Sequence, residues 1–137
     1  MTKEEKQLLL KDLCSRIPYR TFVQLNPGAY NKPETCILTG VHGEKVHLNV
    51  DSDPFRIDHI KPHLRPMSSM TEEENEELKY EIELELQALE GEEGHNTVSA
   101  APAAFEIDFY NKHHFDYRGL IRKGLALEAP EGMYKTE

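Results

Sequence analysis

The spacing of apolar residues changes twice along this chain of 137 residues, and that change restricts the fold more than any other feature. The motif Thr2-x-x-Glu5 has the spacing of a helical capping box, and Pro18 is expected to end the helix that follows. Between these signals the apolar residues recur every three or four positions: Leu9, Leu10, Leu13, Cys14 and Ile17. We therefore predict an amphipathic N-terminal helix of about four turns.

Between residues 19 and 66 the apolar residues alternate with polar ones, as they do in strands with one buried face. Residues 19–25 and 46–50 alternate, residues 35–41 are rich in β-forming residues, and residues 55–57 are interpreted as a short strand; turn-forming residues separate these runs. Pro62 and Pro66 then predict that residues 60–66 form an extended, solvated edge. These runs predict a four-stranded antiparallel meander or a small, partly closed barrel, with the first helix covering its open face.

The segment 71–90 is strongly acidic, and its apolar residues fit two different structures. Thr71-x-x-Glu74 repeats the capping-box spacing, which favours a helix. Its helical face would hold Leu78, Ile82, Leu86 and Leu89, whereas Tyr80, Ile82, Leu84 and Leu86 alternate as in a strand. Because good helix formers dominate the segment, we predict a helix that ends at Gly91. In that helix Leu84 should be more exposed than Ile82 or Leu86.

The remainder of the chain is predicted to be a flexible connection followed by helices. Residues 91–102 have almost nothing to bury and are expected to move on the nanosecond timescale. A helix is predicted over about 103–113, and a last short helix is predicted to close at Gly124. The fold class is therefore α+β, with an N-terminal helix, the antiparallel β unit and two or three C-terminal helices. We divide the chain into 1–70, an acidic helix 71–90, the connection 91–102 and a helical segment 103–137.

The charge is unevenly distributed along the chain, whose net charge is −9. Residues 1–66 carry ten Lys or Arg and eight Asp or Glu, whereas residues 67–137 carry six and seventeen. Eleven of these acids and a single lysine, Lys79, lie between residues 71 and 94. Such a field repels nucleic acid phosphates. The acidic segment is interpreted either as a solvated helix face or as a surface that binds a basic partner or mimics nucleic acid.

The sequence contains no run of 18 apolar residues, so no membrane span is predicted. Its first residues lack the apolar segment and the cleavage site of a signal peptide, and a cytoplasmic location is expected. In that reducing compartment Cys14 and Cys36 are expected to be free, half-buried thiols.

No catalytic, cofactor-binding or metal-binding constellation is predicted. His59 and His63 have the spacing of a helical metal pair, but Pro62 lies between them, and zinc sites need more ligands. His113 and His114 are consecutive, so on a helix their rings would point about 100° apart. We therefore expect a protein without enzymatic activity and without a cofactor.

Two clusters are candidates for contact with a partner. The basic stretch 55–66 bears an aromatic residue, as nucleic-acid-binding faces of small barrels do, but a solvated edge strand protected by its prolines and charges is the favoured explanation. A second cluster lies at 113–118, where histidine, aromatic and basic residues surround one acid. The candidate residues are Phe55, Arg56, His59, Lys61, His63, Arg65, His114, Tyr117 and Arg118.

The sequence His-His-Phe-Asp-Tyr-Arg-Gly-Leu-Ile at 113–121, together with residues 124–134, 1–14 and 60–71, resembles an uncharacterised family of small proteins. That family occurs in gut Bacteroides genomes and their phage-like mobile elements. The resemblance implies an accessory protein of a mobile element and brings no active site, cofactor or substrate. We therefore predict a non-enzymatic interaction module that acts through protein contacts. The alternative is a nucleic-acid-associated accessory protein that uses the basic edge at 55–66.

Overall fold

The computed structural model describes residues 1–26, 33–50, 54–90 and 101–134, and these form an α+β fold. Its helices are α1 (Lys3–Arg16), α2 (Glu72–Glu90) and α3 (Ala101–Lys112), and single 3₁₀ turns cover Ile17–Tyr19, Ile57–His59 and Met67–Ser69. The strands are β1 (Phe22–Leu25), β2 (Glu34–His42), β3 (Lys45–Leu48), β4 (Phe55–Arg56), β5 (Ile60–Leu64) and β6 (Leu127–Glu128).

The described strands form an open, mixed sheet of six strands in the order β4-β3-β2-β1-β5-β6. The prediction of a four-stranded antiparallel meander or partly closed barrel is therefore wrong in strand number and closure. Strand β5 does not follow β4 in the sheet but pairs antiparallel with β1, and it pairs in parallel with β6 from the C-terminal segment. A parallel partner more than sixty residues away leaves no local signal in the sequence.

The prediction of 60–66 as a solvated edge is also wrong, because β5 is an interior strand. Asn26 N donates to His59 O at 2.8 Å, and the register pairs Val23 with Pro62. Hydrogen-bonded pairs alternate along an antiparallel ladder, so the position of Pro62 lies between two of them. Proline is tolerated here because no ladder bond to β1 requires its missing N–H.

Helix α1 packs on one face of the sheet and forms the main core. The capping box predicted at its start is present, with Thr2 and Glu5 bonding each other's backbone N–H groups. The buried apolar side chains of this core are Leu9, Leu13, Val23, Leu25, Cys36, Leu38, Val46, Leu48, Ile57, Ile60, Leu64, Leu120, Leu125 and Ala126. Both cysteines are free thiols; Cys36 is buried as a core residue, but Cys14 is exposed rather than half-buried.

The predicted acidic helix is confirmed as α2, which packs against α3 at the side of the sheet. Leu78 is buried against Phe109 and Phe115, and Ile82 packs on the same cluster. Leu84 is 47% exposed and, as predicted, more exposed than Ile82 or Leu86, so the strand interpretation is wrong. None of the described helices is both long enough and apolar enough to cross a membrane.

The C-terminal part differs from the prediction in two respects. Helix α3 covers Ala101–Lys112, so the last two residues of the predicted flexible connection are helical, while 91–100 lie outside the described residues. Residues 117–124 form turns instead of a last short helix, although Gly124 has the positive φ of 76° expected of a closing residue. Asp116 accepts hydrogen bonds from Leu120 N and Ile121 N at 2.7 and 3.0 Å, and so caps the turn that begins at Leu120.

Candidate functional site

The C-terminal end of α3 makes a turn that leads the chain back to the sheet. His114 N donates to Asn111 O at 3.2 Å and Phe115 N donates to Tyr110 O at 2.8 Å, the hydrogen bonds of a Schellman motif. His114 has a φ of 63°, in the left-handed region that glycine usually occupies at this position. A histidine here therefore indicates that its ring makes contacts that offset the backbone cost.

The ring of His114 contacts residues from two distant parts of the chain. It stacks on the ring of Tyr134 with the centroids 3.7 Å apart, and its Nδ1 lies 3.4 Å from the Thr21 hydroxyl. Burial lowers the pKa of His114 to about 3, and the positive charges of Arg16 and Arg65 act in the same direction. The imidazole is therefore neutral at physiological pH.

The hydroxyl of Tyr134 lies between strands β1 and β5, where their ladder would continue. The register of Gln24 with Lys61 makes Phe22 and His63 the next pair that would be hydrogen-bonded directly. Instead, Phe22 N donates to the Tyr134 hydroxyl at 2.8 Å, and that hydroxyl donates to His63 O at 2.7 Å. Burial raises the pKa of Tyr134 well above its usual range, so this hydroxyl keeps its proton. The Tyr134 hydroxyl thus pairs with a backbone N–H of β1 and a backbone carbonyl of β5, and it anchors the C-terminal segment to the sheet.

Removing only the Tyr134 hydroxyl tests this role. Tyr134→Phe leaves the N–H of Phe22 and the carbonyl of His63 without their shared partner, and an unpaired buried group costs about 1–3 kcal/mol. We expect urea denaturation to give a free energy of unfolding lower by about that amount. Tyr80→Phe is the matched control, because the Tyr80 side chain is 61% exposed. Equal midpoints for the two variants would contradict the proposed bridging.

His63 also lies in this region, and its ring is buried in a neutral form. Only 7% of the residue is exposed, and neither ring nitrogen has a hydrogen-bond partner among the described residues. Burial lowers the pKa of His63 for the same reason as that of His114. Its position excludes direct contact with a partner in this conformation.

A buried ion-pair network joins α1 to the C-terminal segment. Asp12 and Arg16, both fully buried, are linked by Nε–Oδ2 at 2.7 Å, and Arg118 Nε donates to the second Asp12 oxygen at 3.2 Å. Arg16 also donates to the carbonyl of Phe115 at 2.7 Å. Tyr117 donates to Asn111 Oδ1 at 2.9 Å in the same network. Each charged residue of this network depends on its partners, because removing one partner of a buried ion pair leaves the charge of the other uncompensated.

A second ion pair fastens the start of α2 to β5. Both Arg65 Nη1 and Nη2 donate to the Glu74 carboxylate at 2.7 Å, the bidentate geometry of a strong pair. The hydrogen bonds from Arg65 lower the pKa of Glu74 to about 2. The Arg65 guanidinium also lies 4.3 Å from the centroid of the Phe115 ring. Residue Arg65 therefore connects α2, β5 and the segment after α3.

The nine residues predicted to contact a partner do not form one surface. Six are engaged internally: His63 and His114 are buried, His59 Nδ1 lies 3.0 Å from Asn26 O, Arg65 pairs with Glu74, and Tyr117 and Arg118 belong to the Asp12 network. The other three lie in β4 and β5: Phe55, Arg56 and Lys61. Arg56 is the most available of these, with its side chain 72% exposed and 3.7 Å from Asp58.

Residues from all three blocks on which the family resemblance rests meet around the segment after α3. Asp12 comes from the first block, His63 and Arg65 from the second, and the C-terminal block supplies residues 113–118. Arg65 N donates to His114 O at 2.7 Å, and Asp116 N donates to Arg65 O at 2.8 Å. These contacts give residues 113–118 a structural role at the place where the three blocks meet.

None of the nine candidate residues lies on the outward side of α2. We call it the α2 outer face. It is opposite the buried Leu78, and all its side chains are exposed. Its members share one side of the helix at intervals of three, four and seven residues. They are Glu73, Glu76, Glu77, Tyr80, Glu83 and Leu84. The sequence carried this signal, since the helix prediction already placed Leu84 off the buried stripe.

Other chemistry has little support in the described part of the chain. No three His, Cys, Asp or Glu side chains among these residues lie close enough to hold one metal ion. A surface depression of about 370 Å³ beside β4 is lined by Glu44, Lys45, Arg56, Ile57 and Asp58. Two acids alternate there with two basic residues, so the depression does not favour a phosphate.

Comparison with known proteins identifies no relative of this chain. No protein family, no curated protein and no solved structure matches the chain.

Proposed function

We propose that this protein is a non-enzymatic interaction module whose partner protein binds the α2 outer face. The observation that carries the proposal is the exposure of Tyr80 and Leu84, at 61% and 47%, on a helix whose opposite side is packed. Unlike a single exposed apolar residue, two large apolar side chains one turn apart on a solvated helix face form a contiguous patch that another protein can cover. The proposal is compatible with the predicted role as an accessory protein of a mobile element, which stays a prediction.

The way α2 is held supports a docking role. The bidentate pair between Arg65 and Glu74 fixes its first turn, and Leu78 packs against Phe109 and Phe115. Side chains of the outer face are therefore presented from a rigid element, which lowers the entropy lost on binding.

Site-specific photo-cross-linking tests the proposal. We place a photoreactive phenylalanine analogue at position 84 and, as the matched control, at position 107, because Ile107 is 44% exposed but belongs to α3. We expect position 84 alone to give a discrete protein adduct in lysate of the source organism. The protein identified by mass spectrometry should then bind the purified parent and bind Glu76→Lys/Glu77→Lys at least tenfold more weakly. Adducts of equal yield at both positions, or none at 84, would contradict the proposal.

The alternative, a nucleic-acid-associated protein that uses residues 55–66, has weaker support. Only Arg56 and Lys61 of that basic stretch offer charge to solvent, because His63 is buried and Arg65 is paired. A gel shift with duplex and single-stranded probes tests it, since phosphate-driven binding weakens steeply with salt. A salt-sensitive shift that Arg56→Ala/Lys61→Ala abolishes would favour this alternative over the protein partner.

A further inference from the structure

The α2 outer face combines two exposed apolar side chains, which we call the apolar anchors, with negatively charged side chains on either side of them. Tyr80 and Leu84 are four residues apart, so they lie one above the other at about 6 Å along the helix axis. Glu76 and Glu77 lie one turn before Tyr80, and Glu83 flanks Leu84. None of these three glutamates forms an ion pair with another described residue, in contrast to Glu74.

The charges define the chemistry of the occupant. A partner that covers Tyr80 and Leu84 brings low-dielectric surface close to the flanking glutamates, which strengthens their attraction to Lys or Arg. An anionic membrane or a nucleic acid would be repelled by the same charges. A free metal ion would not bury the two apolar side chains. The occupant must therefore carry apolar and basic residues on one surface.

The backbone of α2 defines the conformation of the occupant. A peptide can be added as a strand only at a sheet edge with unpaired backbone groups, whereas the backbone groups in the middle of α2 are used within the helix. A partner helix satisfies its own backbone hydrogen bonds and presents side chains at the same spacing as Tyr80 and Leu84. From Glu73 to Leu84 the face is about 16 Å long, which matches three turns of a partner helix.

We infer that the α2 outer face binds a positively charged amphipathic helix, whose apolar residues cover Tyr80 and Leu84 while its Lys or Arg residues pair with Glu76, Glu77 and Glu83. This inference rests on the function proposed above, because it names the chemistry of the partner for the same surface.

Binding of synthetic peptides to the complete chain tests the inference. The probe is a 14-residue peptide of leucine and lysine with leucine at helical spacing. One comparison peptide has the same composition in strict alternation, and a second contains lysine alone. At near-physiological salt we expect fluorescence anisotropy to show the helical peptide binding at least tenfold more tightly than either comparison peptide. The advantage should come from the apolar anchors, since all three peptides are cationic.

Variants of the two anchors separate this binding from charge attraction. Tyr80→Ser/Leu84→Ser should weaken the helical peptide at least tenfold and leave the lysine peptide unchanged. The matched control Ile107→Ser removes an exposed apolar residue from α3 and should change neither affinity. Equal affinity for the helical and lysine peptides would overturn the inference in favour of charge alone. Preference for the alternating peptide would overturn it in favour of an extended partner.

The two proposals fail in different ways. A protein adduct specific to position 84 together with no preference for the helical peptide overturns only the helical, basic partner. Absence of a position-specific adduct overturns the interaction module itself, whatever the synthetic peptides do.

Discussion

Phe115→Ala is expected to lower the free energy of unfolding by about 3–5 kcal/mol, the range for a large side chain removed from a packed core. The Phe115 ring is completely buried between Tyr110, whose ring meets it edge-on at 6.3 Å, and the Arg65 guanidinium. Because Leu78 of α2 packs in the same cluster, the cavity would loosen the contact of α2 with the rest of the protein. Thermal and urea unfolding measure the effect.

The exposed aromatic residue Tyr80 supplies the control for this substitution. Tyr80→Ala removes a ring of similar size from the surface and should change stability by no more than about 0.5 kcal/mol. If Phe115→Ala melts like Tyr80→Ala, the structural interpretation of the segment after α3 fails. Its aromatic and basic residues would then be the better candidates for contact with a partner.

Acidification is expected to cost about 4–5 kcal/mol of stability through His114 alone. In the unfolded chain this imidazole takes up a proton near pH 6.5, whereas in the folded protein its pKa is about 3. The contribution of His114 to stability is therefore constant above pH 6.5 and falls as the pH drops from 6.5 towards 3, because the unfolded state binds the additional proton. Burial lowers the pKa values of His63 and His113 as well, so they act in the same direction.

Urea unfolding at several pH values checks this dependence. In His114→Asn the titrating group is absent, and asparagine tolerates the left-handed backbone of this position. We expect its stability to fall less steeply between pH 6.5 and 5.5, a range in which Glu74 is still largely ionised in both states. His42→Gln, at the exposed end of β2, should keep the parental slope. An identical slope in His114→Asn and the parent would show that His114 is not held neutral by burial.

Local features of the sequence were sufficient to predict the parts of the fold that depend on local interactions. The capping boxes of Thr2 and Thr71 marked the starts of α1 and α2, because their hydrogen bonds join residues three positions apart. Alternation over 19–25 and 46–50 located β1 and β3, since side chains on a strand point to opposite faces in turn, and the β-forming residues of 35–41 located β2. The preference for helix over strand in α2 followed from capping and helix propensity, and it also placed Leu84 outside.

The partner-binding candidates show what local patterns do not contain. His63, Arg65 and His114 are residue types common on binding surfaces, yet His63 and His114 are buried where chain segments about fifty residues apart meet. Arg65 pairs with Glu74, nine positions further along the chain. Their partners Glu74, Tyr134 and Thr21 are near them only in the folded protein. The sequence does not show whether the hydrogen bonds of a polar residue are formed with water or with another part of the protein.

The sequence by itself determined the α+β class, helices α1 and α2, the first three strands and the acidic character of α2. Each of these depends on periodicity, capping or composition within a few turns of chain. Only the tertiary structure decided the position of β5 between β1 and β6 and the bridging role of the Tyr134 hydroxyl. It also decided which basic residues remain available to solvent. These features depend on pairings between distant segments, which are selected by the burial of the whole chain and not by the preferences of any one segment.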